Sequence, residues 1–307
     1  MNDVRVHPHN YIFPKKTFVE KYMPQISQIY ERRQSKLATG PKKVVIFDLD
    51  ETIGSFGDLS FLWKTLHSDT GYSDSGESKR RFHDILRLYP EFFRPGIFPV
   101  FEYIYRKIQR GAAFPIHVYT NNQCEAPDWV AMILSFIENR VVVTKSDQIY
   151  SGLFADPICA FKIGGKKVNL KRTTHHKTPA DFVRCSLVPR NTEICFMDDQ
   201  THEHMKTGKV YYIQPPPYYH PLSREEIMNR FSKSNIYSLY FNKKMIPIEI
   251  NRVDIASTKK EYDERIGKQI MYFVREFFLV NLPPAQSTRR RRHIYRQNYT
   301  RNRNRSI

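Results

Sequence analysis

Apolar runs along this chain end abruptly in charge or in small polar groups. Val44-Val45-Ile46-Phe47 runs straight into Asp48-Leu49-Asp50-Glu51-Thr52. Ile194-Cys195-Phe196-Met197 meets Asp198-Asp199, and Ile116-His117-Val118-Tyr119 meets Thr120-Asn121-Asn122. Short apolar runs rich in β-branched side chains read as parallel strands covered on both faces. The first core strand is expected from Lys42 to Asp48, and a further strand from Lys209 to Ile213 before Pro215-Pro216-Pro217. Between them the apolar spacing turns helical. Helices are expected near Leu59 to Leu66 and Glu77 to Leu88, with a polar loop from Ser68 to Ser78. Phe98, Phe101, Ile104, Tyr105 and Ile108 mark a helix opened by Arg94-Pro95-Gly96.

The same pattern continues to the C-terminus. Residues 128 to 139 read as a helix and Val141 to Val143 as a short strand. Residues 149 to 171 alternate like a small antiparallel sheet, with Gly164-Gly165 as a two-residue hairpin turn. Thr178-Pro179 supplies a cap and a first-turn proline for a helix, and Ser223 with Glu226 a capping box for another to about Phe231. A second such box, Thr258 to Glu261, opens a long helix that ends before Pro283-Pro284. Near the N-terminus a helix is expected from about Pro24 to Lys36. The fold class is therefore α/β, with a central parallel sheet.

Parallel sheets place their ligand sites just beyond the carboxyl ends of the strands. Asp48 and Asp50 stand at such an end, and two carboxylates this close need a cation or a shared proton. A hard divalent cation with oxygen ligands, such as Mg2+, is the simplest relief. If the three strands are neighbours, Asp48, Asp50, Asp198 and Asp199 converge on one metal, and Thr120 and Asn121 face what the metal holds.

At these residues the sequence resembles the haloacid-dehalogenase superfamily. Asp48-Leu49-Asp50-Glu51-Thr52, Thr120, a lysine before the last motif strand and Asp198-Asp199 resemble its four motifs, in order. The first motif and Arg94-Pro95-Gly96 are similar to phosphatases of the RNA polymerase II C-terminal domain and NLI-interacting-factor-like proteins. The resemblance spans roughly residues 41 to 235, and implies a Rossmann-like core with a small antiparallel insertion and helical extensions. It implies a Mg2+-dependent phosphatase acting on phosphoserine or phosphothreonine in proteins. Asp48 would be the nucleophile and Asp50 the general acid and base, oriented by Thr52. Thr120, Asn121 and a lysine would hold the phosphoryl oxygens; Lys177 is the choice, with Lys171 and Arg172 as alternatives. Asp48, the Asp50 carbonyl, Asp198 and Asp199 would hold the metal. The sequence departs from the close family at Ile53-Gly54-Ser55, in the helical insertion 54–93, which could serve as a cap, and in the C-terminal extension. These departures mark a divergent or viral member. The rivals are a nucleic-acid end phosphatase using the same aspartates, and an inactive interaction or packaging protein.

Those elements divide the 307 residues into an N-terminal extension (1–40), a core (41–235) with insertions 54–93 and 149–171, a helical extension (236–286) and a tail (287–307). Net charge is +18, which favours polyanionic partners. Eight arginines and no acid fall in the tail, which is expected to be disordered and to contact nucleic acid or direct nuclear import. No apolar run is long enough for a membrane span and no secretory signal is evident, so an intracellular protein is expected, cytoplasmic or nuclear. Cys124, Cys159, Cys185 and Cys195 lack metal-ligand spacing and read as structural thiols. His175-His176 and His202-Glu203-His204 read as solvated rather than metal-binding. Tyr211-Tyr212 and Tyr218-Tyr219 read as core packing or the wall of a proline-tyrosine loop rather than a substrate platform, and Phe273, Phe277 and Phe278 as core or interface residues.

Overall fold

The computed structural model describes residues 43–68, 75–122, 124, 129–142, 152–240 and 257–280. The expected N-terminal helix and the arginine tail lie outside the described residues. Four parallel strands form the sheet: β1 (Lys43–Phe47), β2 (His117–Val118), β5 (Glu193–Met197) and β6 (Val210–Ile213), in the order β2-β1-β5-β6. Every residue of these strands is buried, the apolar runs as expected and the polar residues that start three of them, Lys43, His117 and Glu193, as well. β3 (Lys162–Ile163) and β4 (Lys166–Lys167) make a separate antiparallel pair about the Gly164-Gly165 turn.

Alternation along the strands divides the core in two. Val45, Phe47, Cys195, Met197, Tyr211 and Ile213 face the larger cluster. It is completed from α1 (Gly57–Ser68), α2 (Ser75–Leu88), α3 (Ile97–Gln109), α4 (Trp129–Val142), α6 (Arg224–Ser232), α7 (Asn235–Tyr240) and α8 (Ser257–Leu279). Val44, Ile46, Ile194, Phe196 and Tyr212 face the other, which holds Phe182 of α5 (Pro179–Ser186). The chain thus goes from β1 to β2 by α1, α2 and α3 on one face, then to β5, on the other side of β1, by α4 on that same face and α5 on the opposite one. That reversal leaves a crevice at the carboxyl ends of β1 and β5.

Most expected elements are present, including the Thr178 and Ser223 caps. Three expectations need correction. Helix α4 runs on through Val142, so Val141 and Val142 are helical rather than strand; Val143 is outside the described residues. A β-branched pair at the end of a long apolar helix imitates a strand in sequence. Within residues 152–171 only β3 and β4 are antiparallel, while Phe154 and Ile158 bridge in parallel to Ile116 and Tyr119 beside β2. Third, Cys124 and Cys159 are joined in a disulfide, and only Cys185 and Cys195 are free. Their 35-residue separation in sequence carried no sign that the fold brings their Cα atoms to 5.8 Å.

The long last helix is fastened to the start of the sheet by a buried charge. Lys43 Nζ pairs with the Glu193 carboxylate and donates to the carbonyls of Phe277 (3.0 Å) and Val280 (2.5 Å). Near its middle the same helix meets the chain before α3, where a Cβ on Gly267 would lie 2.2 Å from the Pro95 carbonyl. Lys43→Met should cost about 3–5 kcal/mol in urea unfolding at neutral pH, because Glu193 would be left buried and unpaired. Changing Glu193 to methionine as well should restore most of that loss.

His117 gives the fold a pH dependence. Its ring packs edge-on to Phe182 at 5.2 Å, Nδ1 has no partner among the described residues, and burial pushes its pKa down to about 4. The unfolded chain takes this proton near the ordinary 6.5, the folded chain only near 4. This stability is fully present above about pH 6.5 and is lost as pH falls towards 4. Between pH 7.5 and 4.5, His117→Gln should shrink the wild-type loss of unfolding free energy by about 2 kcal/mol.

Candidate metal and phosphoryl site

β1 and β5 pair in register, with Phe47 opposite Met197, so the next residues of both strands emerge side by side. The Asp48 amide donates to the Met197 carbonyl at 2.8 Å, and the Asp198 amide to Ile213 at 3.2 Å. Asp48 and Asp198 therefore leave adjacent strands at one level, where neighbouring chains stand about 4.8 Å apart. Beyond Asp48 the chain turns sharply: Ile53 N–H reaches the Leu49 carbonyl at 2.9 Å, and Glu51 is left-handed with φ 55°. That turn carries Asp50 back over the strand end instead of through the sheet. Gly54 closes it where any Cβ would lie 2.4 Å from the Phe92 carbonyl oxygen.

Asp48, Asp198 and Asp199 present carboxylate oxygens that all lie within 4.8 Å of one another, a group able to hold a metal ion. Lys177 enters from the segment before α5, is buried, and bonds Asp48 Oδ1 at 2.5 Å and Asp198 Oδ2 at 2.7 Å. The Thr178 cap fixes its backbone, since Thr178 Oγ1 accepts from Asp181 N–H at 3.0 Å. The Asp50 carboxylate is outside the metal group; its Oδ2 accepts from Asn122 Nδ2 at 3.0 Å. Thr120 is buried and accepts from the Asn122 amide at 3.0 Å.

Charge is poorly balanced in this crevice. Asp48, Asp50, Asp198 and Asp199 face one another with Lys177 as the ammonium among them. Burial pushes the Asp48 carboxyl up, against the pull of Lys177 and with the help of Asp198. Burial also raises Asp50, and Asp199 together with repulsion from Asp198. Burial and its acidic neighbours Asp50 and Asp199 push Glu51 to about 7. Asp198 alone is held below the ordinary range: burial works against its charge, but Lys177 and His202 outweigh it. An all-oxygen donor set with surplus negative charge fits a hard divalent cation.

Of the residues singled out in sequence, Asp48, Asp50, Thr52, Thr120, Lys177, Asp198 and Asp199 are drawn to this one crevice. Lys177, not Lys171 or Arg172, is the lysine on the aspartates. Two details differ from expectation. Thr52 engages Asp199, donating to Oδ1 at 2.8 Å and accepting from its amide at 2.9 Å, rather than orienting Asp50. Asn121 is exposed, with its Oδ1 taken by Arg172 Nη2 at 3.0 Å; Asn122 reaches Asp50 instead.

Sequence reasoning missed three supports. Arg94 is buried and donates to the carbonyls of Thr52 (2.7 Å), Glu51 and Pro216 (2.9 Å), clamping the turn that carries Asp50. Arg172 is buried and donates to the carbonyls of Thr120 (3.2 Å), Cys159 (2.8 Å) and His175 (3.0 Å). Its planar fork holds three segments at once, which no lysine could do. His202, against expectation, is not simply solvated: its Nε2 lies 2.9 Å from Asp198 Oδ2, while His175, His176 and His204 are exposed as expected. Tyr211, Tyr212, Tyr218, Phe273, Phe277 and Phe278 are buried as packing residues, whereas Tyr219 is exposed.

No family model, curated protein or solved structure matches the chain. No helix among the described residues is long and apolar enough to cross a membrane.

Proposed function

We propose that this chain is a Mg2+-dependent phosphatase of the haloacid-dehalogenase type, working through an aspartyl-phosphate on Asp48. The observation that carries the reading is the triad of oxygens from Asp48, Asp198 and Asp199 within 4.8 Å, with Lys177 bonded to the first two. A nucleophilic carboxylate, a cation-binding group and a fixed ammonium at the ends of two adjacent strands suit transfer of a phosphoryl group.

Bound there, Mg2+ would neutralise the charge of the phosphoryl oxygens and draw them towards the carboxylates. Asp48, Asp198 and Asp199 would hold it. The rest of the work falls to the chain's own groups. Asp48 forms a bond to phosphorus as the bond to the leaving oxygen breaks, and Asp50 gives that oxygen a proton. Asp50 then takes a proton from water as the water attacks phosphorus, and the Asp48–phosphorus bond breaks to release inorganic phosphate. Asn122 keeps the Asp50 carboxyl in place for both steps. Lys177 and the Thr120 hydroxyl stabilise charge on the phosphoryl oxygens. Arg94 and Arg172 hold the two loops that carry these groups.

The substrate we propose is phosphoserine or phosphothreonine in a protein. It rests on the resemblance of Asp48 to Thr52 and Arg94 to Gly96 to the polymerase-tail phosphatases. The test is a panel of p-nitrophenyl phosphate, phosphoserine and phosphothreonine peptides, and phosphate-ended oligonucleotides, each with Mg2+ and with EDTA. Peptide turnover that needs Mg2+ and stops in EDTA is the expected result. Faster release from oligonucleotide ends would move the substrate to nucleic acid. No release from any of them, at full Mg2+, would contradict the enzymatic reading.

A further inference from the structure

The β3–β4 hairpin carries a charge that the pocket does not use. Between Asp156 and Asp181 the sequence contains no acid, while Lys162, Lys166, Lys167 and Lys171 are all exposed. No carboxylate pairs with any of these four among the described residues. Lys162 and Lys167 stand directly opposite across the two strands, and both ammoniums lie 5.2 Å from the Phe161 ring centroid. Like charges in facing positions destabilise a strand pair. This pair therefore holds a repulsion that an anion would relieve.

Both roots of the hairpin are fastened to the loop bearing Thr120. Thr120 N–H donates to the Ile158 carbonyl at 2.9 Å, and Ala160 N–H to the Asn122 carbonyl at 3.1 Å. On the other side, Arg172 grips Thr120 and Cys159 together. The lysines thus extend from the wall of the pocket itself. At the tip, Gly164 and Gly165 have open space about them, so a ligand backbone can approach the peptide closely.

We infer that the β3–β4 hairpin is a docking surface for a nucleic-acid strand. Four uncompensated lysines call for a ligand with several evenly recurring charges. A polynucleotide supplies one phosphate per residue, whereas a singly phosphorylated peptide supplies one in all. Lysines are flexible point charges, suited to holding phosphates without reading sequence. This binding does not depend on the phosphatase reading. If that reading holds, the enzyme meets phosphoproteins already assembled on nucleic acid.

The test uses the full chain and its triple variant Lys162→Gln, Lys166→Gln, Lys167→Gln. Fluorescence anisotropy of a labelled twenty-residue oligothymidylate, which is the probe, is followed across a salt series. Each lost contact with a single strand should flatten the slope of log affinity against log salt by about 0.7, so by about two for the three lysines. At physiological salt the affinity should fall about tenfold or more. The thermal midpoint should stay level or rise, because the repulsion between the facing lysines is removed, and p-nitrophenyl phosphate hydrolysis should be unchanged, because these side chains make no contact with the carboxylates. An unchanged affinity and slope in a folded triple variant would overturn the inference. So would a variant that keeps the oligonucleotide but loses a peptide carrying several phosphoserines, since the surface would then serve phosphoproteins.

Discussion

Asp48→Asn should lower kcat/KM for p-nitrophenyl phosphate by about 10,000-fold or more, on the scale seen when a covalent nucleophile is removed. The amide keeps the shape of the carboxylate but not its charge. The fold should not suffer. Burial already holds the Asp48 carboxyl above its ordinary range, so its ionised form is costly in the native state. An amide removes that cost, while Lys177 keeps its contact with Asp198 at 2.7 Å. The thermal midpoint in metal-free buffer should therefore stay level or rise. Activity within tenfold of wild type would rule out Asp48 as nucleophile.

Lys177→Met should have the second largest effect, on two readouts at once. Lys177 is the ammonium bonded to both Asp48 and Asp198, and all three sit in a buried crevice. Removing it leaves two carboxylates facing each other without the ammonium that bridges them, at a cost of about 3–5 kcal/mol in metal-free unfolding experiments. Turnover should fall by about 100- to 1,000-fold, as for loss of a fixed donor to developing charge. Millimolar Mg2+ should restore part of the stability, because a cation that binds only the folded state stabilises it by mass action. It should not restore turnover, since the ammonium on the phosphoryl oxygens would still be missing. Equal stability of Lys177→Met and wild type in EDTA would show that the bridge between the aspartates carries little of the fold.

The sheet and the carboxylates were legible in the sequence for one physical reason. The interior of a strand buried on both faces is apolar, so its end is marked by the first charge after the run. Val44 to Phe47 and Ile194 to Met197 announce both their burial and the level at which Asp48 and Asp198 emerge. Caps were equally legible, since Thr178 and Ser223 act on backbone groups only three residues away. What the sequence did not show are contacts set by tertiary packing. Arg94 stood out only as part of a motif and Arg172 only as a candidate for the phosphoryl oxygens; that each is buried as a clamp on carbonyl groups is set by the fold. Asn121 and Asn122 are chemically identical, and only the backbone after β2 decides which one reaches Asp50. His202 follows Asp198 by four residues through an irregular turn, so no period places it. Val141 and Val142 favour a strand by type, but they complete a helix whose apolar face was already committed to the core.

The central claim is that phosphate passes through Asp48, and an acid-quenched single-turnover experiment with peptide mapping by mass spectrometry tests it most directly. The protein and its Asp50→Asn variant would be mixed with a phosphoserine peptide in Mg2+ and quenched at successive times. The account predicts phosphate on the peptide containing Asp48, transient in the wild type and longer-lived in the variant, where the base that activates water is gone. Turnover of the substrate with phosphate on another residue, or with none on Asp48 at any time in either protein, would contradict it.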